Sequence, residues 1–452
     1  MNGKVAQTEF DHIMLRSLRE GKKQQFLTLV KELHPYDLAN LYGRLPEQYR
    51  TRFLSFLPIK QTASFVQELE QTLQVEVLTK LGPDKSAQVL NLMDNDDLAV
   101  LLREVSEEEK QRFLSGMEIE ESQAVRNLMQ YPPETAGGIM TNRYVWIPRH
   151  YTVRDVMAKL REFAELAETI HYLFVIDEEK KLVGVLSYRD LILAEPEEEI
   201  EHIMYERVIS VNVEDDQEEV ARVIARYDFL AVPVVERDNR LVGIITVDDI
   251  IDVVIQEATE DIEKLSASGK DIDFDTKATV AAYRRLPWLV LLLLIGIISG
   301  SIISVFENTL ANVVALAFFM PMIAGMTGNT GTQSLAVVVR GLSTQEVSTS
   351  TVMKLLIREL LVGMMLGVIC GVLITLVAFF WQGSMMLGIV VGSSLSITLV
   401  IGTLSGTFIP ILLYKLKVDP AIASGPLITT LNDILSLLIY FSIASLFMSS
   451  LM

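Results

Sequence analysis

The chain is 452 residues long, enough for several domains, and carries a formal net charge of −19. Beyond Pro287 five acids balance five bases, so all the excess negative charge lies in the first part of the chain. A surface that acidic excludes nucleic acid and anionic lipid heads as its partners and favours cations.

The single cysteine, Cys370, lies in an apolar run and supports neither an intramolecular disulfide nor a Cys-based zinc site. The opening residues mix charged and apolar side chains without an unbroken hydrophobic stretch, so no cleaved signal peptide is expected.

Residues 1–132 read as an all-α domain of short helices punctuated by Leu45-Pro46, Leu57-Pro58 and Gly82-Pro83. Apolar residues at three and four spacing fill the gaps, as at Leu98, Leu101, Leu102 and Val105. Helices at near-regular intervals predict a helical solenoid, a scaffold rather than a catalytic unit. Tyr131-Pro-Pro-Glu134 marks its end.

Residues 133–256 contain an internal repeat, 139–194 and 203–256, opened by Ile139-Met140 and Ile203-Met204. Each copy holds a β-run, a turn, Leu-Val-Gly and a short helix, and Gly184 and Gly243 stand 59 residues apart. This resembles a tandem pair of CBS domains, α/β units that pair across their sheets and often bind adenine nucleotides. Tyr172, Arg189, Asp190 and Phe229 match positions that contact ATP in similar pairs. The resemblance leaves both a nucleotide-regulated and a purely structural pair open.

Residues 248–284 read as an acidic connecting helix that runs directly into the membrane. From Asp248 to Glu263 there are seven acids and no base. Like charges three or four apart on a helix repel by about 0.2–0.5 kcal/mol per pair. With Asp96, Asp97, Asp216, Glu218 and Asp228 upstream, divalent cations would draw these segments together, and without them the segments should part.

Residues 285–452 form the predicted membrane domain. Trp288–Phe306, Ala311–Val339, Leu360–Phe380, Met386–Tyr414 and Leu427–Phe447 are uncharged or nearly uncharged, which fits five spanning helices. Arg284, Arg285, Arg340, Lys354, Arg358, Lys415 and Lys417 all flank one side of those spans. The positive-inside rule then places the N-terminus in the cytoplasm and the C-terminus outside, in a multi-pass protein of the cell membrane. Gly363, Gly367 and Gly371 repeat at four, as in a close helix contact.

Two spans depart from plain apolar composition. In the fifth, Thr429, Asp433, Ser436 and Tyr440 share one helical face. A carboxylate at the depth of Asp433 costs at least ~2.5–3.5 kcal/mol and calls for water, an ion or a partner. In the second, Pro321, Gly325, Gly328, Asn329 and Gly331 predict a broken helix bringing backbone toward an ion path. The unusual groups are all oxygen donors, which suits a hard divalent cation; Mg2+, reluctant to shed water, fits one or two carboxylates. The alternative is a gradient-coupled secondary transporter of Mg2+, Mn2+ or Co2+, for which Glu359 beside Arg358 is the second charged group. An enzyme is not expected, because no nucleophile–base pair or phosphate-cradling loop is present.

Four motifs carry a resemblance over nearly the whole length: Tyr131 to Thr141, Thr246-Val-Asp-Asp-Ile250, Gly325 to Gln333, and Asp419 to Asp433. The chain resembles the MgtE family of magnesium channels. That resemblance implies a homodimer in the lipid bilayer, with spans two and five of both subunits lining one pore. It implies that Asp433 holds hydrated Mg2+, with Asn329, Thr429 and the backbone near Gly325 and Gly328 close by. It also implies closure by intracellular Mg2+ at Asp96, Asp216, Glu218, Asp228, Asp249, Asp252, Glu257, Glu260 and Asp261.

Overall fold

The computed structural model describes residues 12–167, 169–268, 272, 276–344 and 349–451. The chain divides between Val254 and Ile255 into two units.

The first unit holds a run of short helices that includes those from Lys23–Val30 to Ile119–Leu128. Prolines set the boundaries: Pro35 and Pro83 occupy first helical positions, where their missing N–H would have had no partner anyway. The helices close over an aromatic centre in which Phe26, Tyr42, Phe53 and Phe65 meet with ring centroids 5.4–5.7 Å apart. The predicted helical domain is present.

Two three-stranded sheets follow. Strands β1 (Trp146–Pro148), β2 (Tyr172–Ile176) and β3 (Leu182–Ser187) form one; β4 (Val211–Asn212), β5 (Ala231–Val235) and β6 (Leu241–Thr246) form the other. In each, the first pair is parallel with a helix as crossover, and the second pair is antiparallel. The β2–β3 and β5–β6 turns place Lys180 and Asn239 in the same left-handed conformation, φ 63°. Those turns clasp each other: Leu182 N donates to Asn239 O at 2.9 Å, and Leu241 N to Lys180 O at 3.2 Å.

The residues that open the first copy in sequence sit on the second copy in space. Thr141 exchanges backbone hydrogen bonds with Ile244 of β6, at 2.8 and 3.0 Å. A Cβ on Gly243 would stand 2.6 Å from the Met140 sulfur, so only glycine leaves room for that side chain.

The connecting helix covers Val247–Ser266. It does not run directly into the first long helix: Ala267 is left-handed, φ 52°, and the next helix begins at Ala278.

The second unit holds five long helices, Ala278–Val305, Leu316–Thr344, Thr349–Gln382, Met385–Lys415 and Gly425–Leu446. The first, third, fourth and fifth are long and apolar enough to cross a membrane. The second has the length, but its polar stretch from Thr327 to Gln333 lowers its hydropathy. It is also one continuous helix, with Pro321 in its second turn, so the expected break is absent. The Gly363, Gly367 and Gly371 ridge does meet the fourth helix: a Cβ on Gly367 would lie 2.7 Å from the Ser396 carbonyl.

Candidate functional site

The second and fifth long helices cross where glycine permits it. A Cβ on Gly328 would lie 2.8 Å from Thr429 Cγ2, and one on Gly331 would overlap the Asn432 amide. Gly328 and Thr429 are therefore packing partners. In a continuous helix the Gly325 and Gly328 carbonyls also point into the hydrogen-bond ladder, not toward an ion. Gly325 and Asn329 lie exposed on one stripe with Met322, Met326 and Gln333. Asp433, one turn beyond Thr429, is half-buried, and among the described residues no hydrogen bond or ion pair reaches its carboxylate.

The polar stripe predicted on the fifth helix splits in two. Ser436 and Tyr440 are fully buried; Ser436 donates to the Asp433 carbonyl at 3.0 Å and Tyr440 to the Leu316 carbonyl at 2.9 Å. Both face protein, leaving Thr429 and Asp433 as the accessible part. Asn432, which sequence reasoning passed over, is buried; it accepts from Ser405 Oγ at 2.6 Å and donates to Thr327 O at 3.5 Å. That network fixes the helix turn carrying Asp433 against the second and fourth helices.

In the first unit, the structure gathers part of the predicted set, Asp97, Asp249 and Asp252, with Asp94 and Glu68 added. Asp97 faces Asp252, with Asp94 and Glu68 also near; Asp96, beside it on the same helix, is buried. Gln67 Nε2 donates to Asp94 at 2.6 Å and to Asp97 at 2.8 Å. Asp97 stays open to solvent at its surface, but desolvation by the protein around it pushes its carboxyl up, with added repulsion from Asp94, Glu68 and Asp252. Asp249 is pushed up to about 6, chiefly by burial and further by Asp248 and Asp97, against the opposing hydrogen bonds from Thr246. A divalent cation would relieve this mutual repulsion, although among the described residues no three of these carboxylates come within ligating reach of one ion.

Asp216 caps the start of the helix Gln217–Tyr227, accepting from Glu218 N at 2.9 Å, and Asp228 caps its end in left-handed conformation. They stand at opposite ends of that helix, roughly 16–18 Å apart at 1.5 Å per residue, so they cannot share one coordination sphere within a chain. Glu257, Glu260 and Asp261 belong to the second unit, where Lys264 pairs with Glu260 at 2.8 Å.

Between the two sheets lies a cavity of about 280 Å³ lined by Tyr172, Asp190 and Phe229. The Tyr172 and Phe229 rings meet edge to face with centroids 6.5 Å apart. Asp190 also accepts from Ser187 N and Oγ, which closes its helix cap. Arg189 is exposed and outside the lining; Arg207, which was not anticipated, supplies the cation instead.

Comparison with known proteins follows the same division. Family models for a divalent cation transporter, the MgtE intracellular N domain and the CBS domain match residues 320–443, 33–134, and 136–197 with 200–256. The magnesium transporter MgtE of Bacillus subtilis is 61% identical over 99% of this chain and 100% of its own length. The one from Enterococcus faecalis is 41% identical over 96% of both. Among solved structures, the soluble part of a magnesium transporter superposes with TM-score 0.53 at 40% identity, covering 56% of this chain and 99% of that one. The cytosolic domain of the Mg2+ channel MgtE in complex with ATP gives 0.52 at 38%, covering 54% and 99%. With identity sustained from the helical domain through the last long helix, this multi-pass membrane protein belongs to the MgtE family of magnesium transporters.

Proposed function

We propose that the chain is a Mg2+ channel of the cell membrane, a homodimer that intracellular Mg2+ closes. The observation that carries this reading is the Asp433 carboxylate, set at membrane depth without a basic mate among the described residues. A hydrated cation is the partner that keeps such a group charged. The second helix fits: Gly325, Asn329 and Gln333 leave a stripe of it uncovered, room for a second subunit and a shared aqueous path.

Closure follows from the crowded carboxylates. Asp249, Asp252, Asp94, Asp97 and Glu68 repel one another without a cation and are drawn together by one. The segment holding Asp249 and Asp252 is the start of the connecting helix, so ion occupancy bears on that helix directly. In this reading the first unit is cytoplasmic and the C-terminus outside, in keeping with the one-sided Lys and Arg. ATP is a regulator in the cavity of Tyr172, Asp190 and Phe229; the relative solved with ATP supports that ligand.

Glu359 weighs against gradient coupling. It is buried, accepts from Ser334 Oγ at 2.8 Å, and pairs with Arg358 at 2.8 Å, so it is held rather than poised to exchange a proton or ion. Patch recording at controlled internal Mg2+ tests the proposal. Wild type should conduct at low internal Mg2+ and close as it rises, while Asp433→Asn and Asp433→Ala lose Mg2+ current. Unaltered conductance in both variants removes Asp433 from the path.

A further inference from the structure

A crevice of about 300 Å³ opens between the second, third and fourth long helices, at the end opposite Trp381. Leu342, Val352, Leu355 and Ile411 give it an apolar wall, and Lys354 and Arg358 stand on its third-helix side. Among the described residues no acid lines it.

Depth in the membrane makes that pairing meaningful. Trp381 is exposed near the far end of the third helix and stacks on Phe318 at 5.9 Å, the setting of an interfacial anchor. Arg358 and Lys354 precede it by 23 and 27 residues, roughly 35 and 40 Å of helix at 1.5 Å per residue. A hydrocarbon core of about 30 Å, or about 40–45 Å with both headgroup layers, puts both cations among the opposite headgroups. Leu355 falls between the two cations along the helix and Val352 just beyond Lys354, so the wall stands at the same headgroup depth.

The two cations differ in how they are held. Arg358 is fixed through Nε and Nη2 on Glu359 Oε1, at 3.2 and 2.8 Å, and Glu359 is itself secured by Ser334. Lys354 is exposed and makes no ion pair among the described residues. An apolar wall alone would suit another protein copy. A free ammonium and a fixed guanidinium at headgroup depth beside that wall suit an amphiphile with an anionic head. We propose that this crevice binds the head of an anionic phospholipid, its phosphate between Lys354 and Arg358 and its glycerol region against Leu342, Val352, Leu355 and Ile411.

Gly341 supplies a way to close the site. A Cβ added there meets nothing within 4 Å, so Gly341→Leu would fill the crevice rather than break the helix. The test is native mass spectrometry of the full chain released from nanodiscs containing phosphatidylglycerol or phosphatidylcholine. Wild type should retain phosphatidylglycerol about tenfold better than phosphatidylcholine, on the order of 1.4 kcal/mol. Lys354→Glu and Gly341→Leu should each lose that preference while melting as wild type does in phosphatidylcholine. Equal retention of both lipids, or a preference that survives both substitutions, overturns the proposal. So does efficient cross-linking between two copies through Gly341→Cys in a Cys370→Ser background, which would make a second chain the occupant.

Discussion

Lys264 donates to Asp419 Oδ2 at 2.5 Å and pairs with Glu260 at 2.8 Å, so one ammonium joins the end of the connecting helix to the loop before the fifth long helix. Burial works against the charge, but the hydrogen bonds to Asp419 and Glu260 outweigh it and hold Lys264 above the ordinary lysine range. Lys264→Met should loosen the last turn of that helix. Amide exchange over Ile262–Ser266 is expected to quicken about fivefold, equivalent to about 1 kcal/mol, with Lys264→Arg close to wild type.

Asp249 gives stability a pH dependence of determinate sign. Its folded pKa of about 6 lies above the ordinary 3.8, so the folded state binds that proton more tightly than the unfolded one. Its protonated form therefore favours the fold below the unfolded value, and that contribution is lost as pH rises through about 6. In EDTA, the melting temperature of the first unit within the full chain should climb as pH falls from about 7.5 to about 5.5. Asp97, raised in the same way, adds to the trend. Saturating Mg2+ should flatten it, as should Asp249→Asn; a slope unchanged by both would clear the cluster of any ion-binding role.

Two glycines in the membrane unit should answer alanine in opposite ways. A Cβ on Gly406 would overlap the Gly331 carbonyl, where the second and fourth helices touch backbone to backbone. Gly406→Ala is expected to cost about 1–3 kcal/mol and to lower the yield of monodisperse protein in detergent. At Gly296 an added Cβ meets nothing within 4 Å, and Ala should be neutral or stabilising by up to about 1 kcal/mol.

The cavity between the sheets separates two arginines. Calorimetric titration with ATP should show Phe229→Ala and Arg207→Ala binding about tenfold more weakly, in line with about 1–3 kcal/mol for a stacked base. Arg189→Ala should bind as wild type does. If Arg189→Ala abolishes binding and Arg207→Ala does not, the nucleotide enters elsewhere on the pair.

What could be read without coordinates was whatever a local pattern determines. Apolar run lengths gave the five long helices, and the 59-residue offset of Gly184 and Gly243 gave the two sheets. Asp433 stood out because an acid inside such a run is costly wherever it points. Orientation was not legible. Asp96 and Asp97 lie about 100° apart around one helix, and only the packed fold decides which turns inward. The stripe from Thr429 to Tyr440 fixed one side of a helix but not its neighbours: one end meets Gly328 and the other the start of the second long helix. Pro321 removes one ladder hydrogen bond, to the Ala317 carbonyl, and the helix continues through it without a break.

Met140 lodged against Gly243 gives the tandem sheets a mechanical character that repetition alone would not. The peptide leaving the helical domain is stitched into β6 through Thr141 and Ile244, and β6 ends at Thr246, one residue before the connecting helix begins. A tug on the helical domain is thus delivered to the root of that helix through a handful of covalent bonds and two amide hydrogen bonds. Neither sheet can be excised as a self-sufficient cartridge: cutting the chain ahead of 203 would strip β6 of the side chain that fills its notch and sever the tether together.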